Sequence, residues 1–203
     1  VELRGIKTGL EKDVASSVTT LKTNFRGFVD LTGEQLGEIG KTMTVMSAMG
    51  VSNSESADMF GNLTKTLGHA EPEARRIMTN FTATAEALGR PPQEMVSDFN
   101  KAQPILARFG KKSEKIFKDA ATQATLLNMD VSKVISLGES MDTFEGAAKA
   151  AQAFNVAIGQ PFLSAQALLA AESPADKLQL VADAYKRAGR PELGPRMIRG
   201  LAS

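Results

Sequence analysis

Four times between residues 49 and 113 an apolar-periodic stretch is stopped by a glycine and restarted on a helix-starting signal: Met49-Gly50-Val51-Ser52, Leu67-Gly68, Leu88-Gly89-Arg90-Pro91 and Phe109-Gly110-Lys111-Lys112-Ser113. Glycine has no Cβ and closes a helix in the left-handed conformation, whereas Ser and Pro suit the first positions of the next one. This punctuation confines the chain to a string of short helices. The breaks recur at roughly twenty residues, which raises a helical repeat. Little beyond the caps is shared between the units, so an irregular helical domain is expected rather than a regular solenoid.

Ahead of the first break, Leu3, Ile6, Leu10, Val14, Val18, Leu21, Phe25 and Phe28 step by three or four residues. Such a narrow seam suits a coiled coil or a long packed helix, and it predicts self-association. An ordinary amphipathic helix docked on its own domain gives the same periodicity. Gly5, Gly9 and many Ser and Thr weaken intrinsic helicity, so packing must supply the rest.

Thr32 to Gln35 and Ser52 to Glu55 have capping-box spacing, and Glu71-Pro72-Glu73 and Pro91-Pro92 suit first turns. Pro104 is expected to kink or divide its helix. Ser113 opens another helix, and a short one follows between Asn128 and Asp142. Asp142-Thr143-Phe144-Glu145 repeats the capping arrangement before an Ala-rich helix that ends at Gly159-Gln160-Pro161. Helices from Ser164 and Ser173-Pro174 follow, with a last short one bearing Met197, Ile198 and Leu201. No sustained alternation marks a strand. The expected class is all-α, an irregular bundle of about ten short helices (31–203) preceded by a longer coiled-coil-like helix (1–30) that forms the end of a rod.

Composition excludes several functions. The 203 residues, 42% of them hydrophobic, suffice for a core. With 24 Lys and Arg against 23 Asp and Glu there is no field to attract nucleic acid. Cysteine is absent and histidine occurs once, at His69, which disfavours zinc and thiolate chemistry and leads us to expect no metal or cofactor. The weakly charged run from Ala150 to Ala171 is too poor in large apolar residues to span a bilayer. The start at Val1 lacks a signal-peptide pattern and suggests a fragment of a longer chain.

Few residues invite chemistry. His69 lacks a partner for a metal site or nucleophile and reads as structural or surface. Glu145, between Phe144 and Gly146, has the setting a lysozyme-like acid would need, although a capping role explains it more simply. Ser52, Ser113, Ser132 and Ser164 precede helices and read as caps. Gly110-Lys111-Lys112-Ser113 lacks the upstream glycine and strand of a phosphate loop. Lys111, Lys112, Lys115 and Lys118 are interrupted by Glu114 and Asp119, and methionines such as Met43, Met46 and Met49 fit a core better than an adaptable partner surface.

Several segments carry a family signal. Met49-Gly50-Val51-Ser52, Ala87-Leu88-Gly89-Arg90-Pro91-Pro92, Phe99-Asn100-Lys101-Ala102-Gln103-Pro104 with Ala107-Arg108-Phe109-Gly110, and Met141-Asp142-Thr143-Phe144-Glu145-Gly146-Ala147-Ala148 resemble a helical region of bacteriophage tail tape measure proteins of contractile-tailed phages. Phe154-Asn155, Gly159-Gln160-Pro161-Phe162-Leu163 and Ser173-Pro174-Ala175-Asp176-Lys177-Leu178 continue it. The resemblance implies a non-enzymatic virion protein, present in several copies as a trimer or hexamer, in the tail tube lumen or at the baseplate. It also implies assembly in the host cytoplasm, contact with tail tube and baseplate hub proteins, a part in setting tail length, and release on DNA ejection. Neither specific nucleic acid nor stable membrane insertion is expected. A peptidoglycan hydrolase using Glu145, and a cellular helical adaptor that binds peptides, are the alternatives.

Overall fold

The computed structural model describes residues 2–127 and 129–189, with residues 2–10 and 127 described by backbone alone. Among the described residues every regular element is helical and no strand occurs. The short helix expected around Met197, Ile198 and Leu201 lies outside them. The chain divides into two compact units, Val1–Glu114 and Lys115–Ser203.

In the first unit, α1 (Glu2–Asn24) leads through a 3-10 turn (Arg26–Asp30) to α2 (Gly33–Ala48) and α3 (Asn53–Gly61), which widens into a π turn (Asn62–Thr66). Then follow α4 (Glu71–Ala87) and α5 (Pro92–Leu106). The α2–α3 junction shows how four residues finish one helix and start the next. Gly50 takes φ 90°, its N–H donates to Ser47 O at 3.0 Å, and the Val51 N–H donates to Met46 O at 3.0 Å. Val51 is buried beneath the turn, which closes a Schellman-type end. Ser52 Oγ then accepts from the Glu55 N–H at 3.2 Å, and the Glu55 carboxylate accepts from the Ser52 N–H at 3.3 Å. The capping box foreseen at Thr32 and Gln35 forms as well. The α4–α5 junction repeats the glycine closure, with Gly89 N–H on Glu86 O and Arg90 N–H on Ala85 O.

Between these junctions α3 packs on α1, α2, α4 and α5. Its Phe60 is fully buried and meets the Phe25 ring edge-on at 5.3 Å, while Phe81 of α4 and Phe99 of α5 meet at 4.8 Å. Burial of each such ring favours the folded state by about 1.5–3 kcal/mol. Met43 and Met46 fill the same core, as expected, together with Met59, Met78 and Met95, whereas Met49 at the end of α2 is only half-buried. The division expected at Pro104 falls later. The helix continues through Pro104 to Leu106 and tightens into a 3-10 turn, Ala107–Lys112. Proline deletes one ladder hydrogen bond; the change of direction belongs to Gly110, at φ 51° and ψ −128°.

The second unit takes in most of α6 (Ser113–Leu127), then α7 (Val131–Ser140), α8 (Phe144–Ile158), α9 (Ala165–Ala170) and α10 (Pro174–Arg187). α7 packs on α10, and α9 on both α8 and α10. Gly138 of α7 lies against the backbone of Pro174, where a Cβ would collide with Pro174 Cα. This close approach brings Lys177, only 3% exposed, to the end of α7. Its ammonium donates to Gly138 O at 3.3 Å and pairs with the Asp142 carboxylate. Ser173 caps α10 by accepting from the Asp176 N–H. The carboxamide of Asn155 spans the Gly159-Gln160-Pro161 turn, donating to Leu163 O at 2.8 Å and accepting from the Leu163 N–H at 2.9 Å.

The capping arrangement expected from Asp142 to Glu145 is corrected by one residue. Thr143 is the cap and its Oγ1 accepts from the Gly146 N–H at 3.1 Å. Asp142 is drawn away by Lys177, and the register leaves Glu145 out of the cap.

The Lys177 contact sets a stability test for the second unit. Asp142 is half exposed, so the Coulombic gain is screened, and the larger cost lies in stranding a buried ammonium. Asp142→Ala is expected to destabilise the protein by about 2–3 kcal/mol. Lys177→Met, which keeps the apolar stem and removes the charge, costs less, and the double variant costs no more than Asp142→Ala alone. Urea unfolding monitored by circular dichroism measures all three.

Candidate functional site

The residues expected to self-associate are split by the structure. Leu3, Ile6 and Leu10 lie on α1, but their side chains are outside the described set. Val14 and Val18 are half-buried against α2 at Gly40, where a Cβ would come within 2.6 Å of Val18 Cγ2 and 3.1 Å of Val14 Cγ1. Leu21 is fully buried. Phe25 and Phe28 leave the helical stripe, contrary to the expectation of one helix running to Asp30. α1 ends at Asn24, Phe25 is extended at φ −111° and ψ 99°, and Phe28 sits half-buried in the 3-10 turn.

Two contacts explain that ending. The Phe25 ring reaches into the core to Phe60, and Gly27 lies so close to the Phe25 ring and the Lys65 stem that a Cβ would strike both. Lys65 places its ammonium 5.7 Å from the Phe25 centroid and 3.4 Å from the Asp30 carboxylate. The described half of the seam, through Phe25, is therefore packed on its own unit by α2 and α3.

Beside the seam a polar cleft of about 330 Å³ is lined by Asp13, Ser16, Ser17, Thr44, Ser47 and Asn53, among others. Ser17 is 1% exposed, lies 3.2 Å from Thr44 Oγ1 and donates to Asn53 Oδ1 at 3.1 Å. Thr44 Oγ1 donates to Gly40 O at 2.9 Å. The Ser17 and Thr44 hydroxyls are thus tied to neighbours and join α1 to α2 and to the first turn of α3. An apolar-only pattern passes over Ser17, whose partners Thr44 and Asn53 lie on other helices.

The remaining candidates are dispersed. His69 is buried after Gly68, and its N–H donates to Leu63 O. Its Nδ1 lies 3.1 Å from Glu73 Oε2, an ion-pair separation in which the N–H is not aligned for a hydrogen bond, and its Nε2 has no partner among the described residues. The imidazole beside Glu73 holds that carboxyl below the usual range against some desolvation, and Lys111 and Arg76 add smaller effects in the same direction. Among the described residues no group of His, Asp and Glu is arranged to hold a metal ion.

Glu145 has a side chain 79% exposed and pairs with Lys149 at 3.2 Å. Of the serines, Ser52 caps α3, Ser164 stands at the start of α9 without a side-chain cap bond, and Ser113 and Ser132 lie inside the first turns of their helices. Lys111 and Lys112 are exposed, and Lys115 pairs with Asp119 at 3.8 Å.

Two outcomes are expected. In a helix interior Gly→Ala ordinarily stabilises by about 1 kcal/mol. Gly40→Ala should instead destabilise by about 1–3 kcal/mol, because Val18 is stiff at χ1 and Val14 O also lies within 3.3 Å; adding Val18→Ala should recover part of the loss in the same urea assay. The lowered Glu73 carboxyl contributes stability that is fully present above the ordinary glutamate value of about 4.5 and is lost as pH falls through its lower folded value. Glu73→Gln should therefore flatten the acid limb of stability against pH between about 6 and 3, as read from urea midpoints.

No known protein family matches the chain, and neither a curated protein nor a solved structure is significantly similar to it.

Proposed function

We propose that this chain is a non-enzymatic structural module of a bacteriophage tail tape measure protein, held in several copies in the tail tube or at its baseplate end. The observation that carries this reading is the set of resembling segments. Met49–Ser52, Ala87–Pro92 and Met141–Ala148 coincide with the junctions α2–α3, α4–α5 and α7–α8. The Asp142-Thr143-Phe144-Glu145 segment is the most specific part, and there Asp142 holds Lys177 while Thr143 caps α8. The hydrolase alternative is disfavoured by the exposure of Glu145 and its pairing with Lys149, because a catalytic acid needs a setting that keeps its proton.

Self-association belongs to the same proposal. The described half of the α1 seam is occupied by the chain's own α2 and α3, so a coiled coil between copies, a trimer or hexamer, is assigned to the half carrying Leu3, Ile6 and Leu10. Contacts with tube and hub proteins follow from the family reading alone.

Two measurements test the proposal. In purified virions the chain should be found within a product several times larger than 21.6 kDa; a stable native product of that size, absent from virions, would overturn the reading. The double variant Leu3→Asp with Leu10→Asp should reduce the solution mass to that of a single copy without loss of helicity, because charge would enter an apolar seam. A monomeric parent chain in light scattering would remove the coiled coil.

A further inference from the structure

Three helices of the first unit converge on a second cleft, of about 330 Å³, lined by Asn24 of α1, Ala57, Asp58 and Gly61 of α3, Asn62 of the π turn and Asn100 of α5. That is roughly ten times the volume of one water, and nearly every polar group around it is a carboxamide or carboxylate. The hydrogen bonds give these amides a direction. Asn100 Nδ2 donates to Glu55 O at 3.0 Å, and a carbonyl can only accept. Asn100 must therefore present its Oδ1 to Asn62, whose Nδ2 donates to it at 3.0 Å. The relay ends at Asn62 Oδ1, to which no donor is bonded among the described residues.

Asn24 Nδ2 donates to Ser54 Oγ at 2.8 Å, which leaves its own Oδ1 without a partner among the described residues. The carboxylate of Asp58, one helical turn before Asn62, has neither a hydrogen bond nor an ion pair among the described residues, although its backbone carbonyl accepts from the Asn62 N–H. Desolvation, with Glu55 as a smaller second cause, pushes its carboxyl above the usual range, and no cation among the described residues opposes the shift. The site is thus rich in acceptors and lacks positive charge. The π turn adds a second mark, because such widened turns inside α-helices often occur at functional sites.

We infer that the cleft formed by Asp58, Asn62 and Asn24 binds a guanidinium group, carried by a small molecule or by an arginine side chain of a protein segment. A guanidinium presents N–H donors in a planar fork that fits a carboxylate with adjacent amide oxygens, and its delocalised charge is more weakly hydrated than an ammonium. Calcium fits poorly, because it takes six to eight oxygen ligands and the cleft offers one carboxylate and two free amide oxygens. This site is independent of the tail reading.

The test is a ¹H–¹⁵N NMR titration of the full chain at pH 7 with methylguanidinium, with a blocked Gly-Arg-Gly peptide and, as a cation without donors, with tetramethylammonium. Saturable shifts centred on the Asn62 and Asn100 side-chain amides are expected for the guanidinium probes and not for tetramethylammonium. Asp58→Ala and Asn62→Leu should each weaken binding at least tenfold, and lowering the pH to protonate Asp58 should weaken it too. Tighter binding of the peptide than of methylguanidinium assigns the site to an arginine segment; equal or weaker binding assigns it to a small molecule. Shifts that do not saturate, equal shifts with tetramethylammonium, or binding unchanged in Asn62→Leu would overturn the inference.

Discussion

A short helix survives only if its ends are satisfied and one face is buried, and the junctions of the first unit show how this chain meets that constraint. α3 spans nine residues and α9 six, below the length at which an isolated helix holds together in water. The unpaired N–H and C=O groups at their ends must be met within a few residues, since a buried orphan costs as much as a lost hydrogen bond. At Gly50 and Gly89 the left-handed glycine returns two carbonyls to donors in a single turn. A capping serine or first-turn proline then starts the next helix with little intervening loop. The core follows from these junctions, because they fix which faces of successive helices meet.

This also explains how far the sequence could be followed. Helix ends depend on local chemistry, and the boxes at Thr32 and Ser52 and the glycine stops could be recognised from four-residue windows. Where the local rule met a distant competitor, it failed. The cap foreseen at Asp142 moved to Thr143 because Lys177, thirty-five residues on, takes the Asp142 carboxylate. The helix foreseen through Phe28 ended at Asn24 because Phe25 is worth more against Phe60 than on the stripe of α1. The division foreseen at Pro104 failed for a related reason. One missing ladder bond is tolerated in a helix whose buried face continues to Leu106, whereas Gly110 changes the backbone direction outright.

Polar contacts over long separations were the least legible part. Ser17 with Asn53, Asn155 with Leu163 and Asn100 with Glu55 join residues that no periodicity connects. A buried amide or hydroxyl is held there by geometry, and sequence pattern records only the helix that carries it. The amide-lined cleft at Asn62 is the clearest case: its directionality comes from one helical carbonyl, two residues removed from the cleft itself.

The α1 seam shows why an apolar stripe alone does not name its partner. Its period is the same whether the stripe packs within a chain or between chains. What separates the two is the opposing surface. At Val14 and Val18 that surface is Gly40, whose missing side chain admits two valines at close range, and at Leu21 and Phe25 it is the core built around α3. A seam meeting a glycine on its own chain has already spent that half of its area. The proposed association of copies through α1 would then draw on the turns that carry Leu3, Ile6 and Leu10.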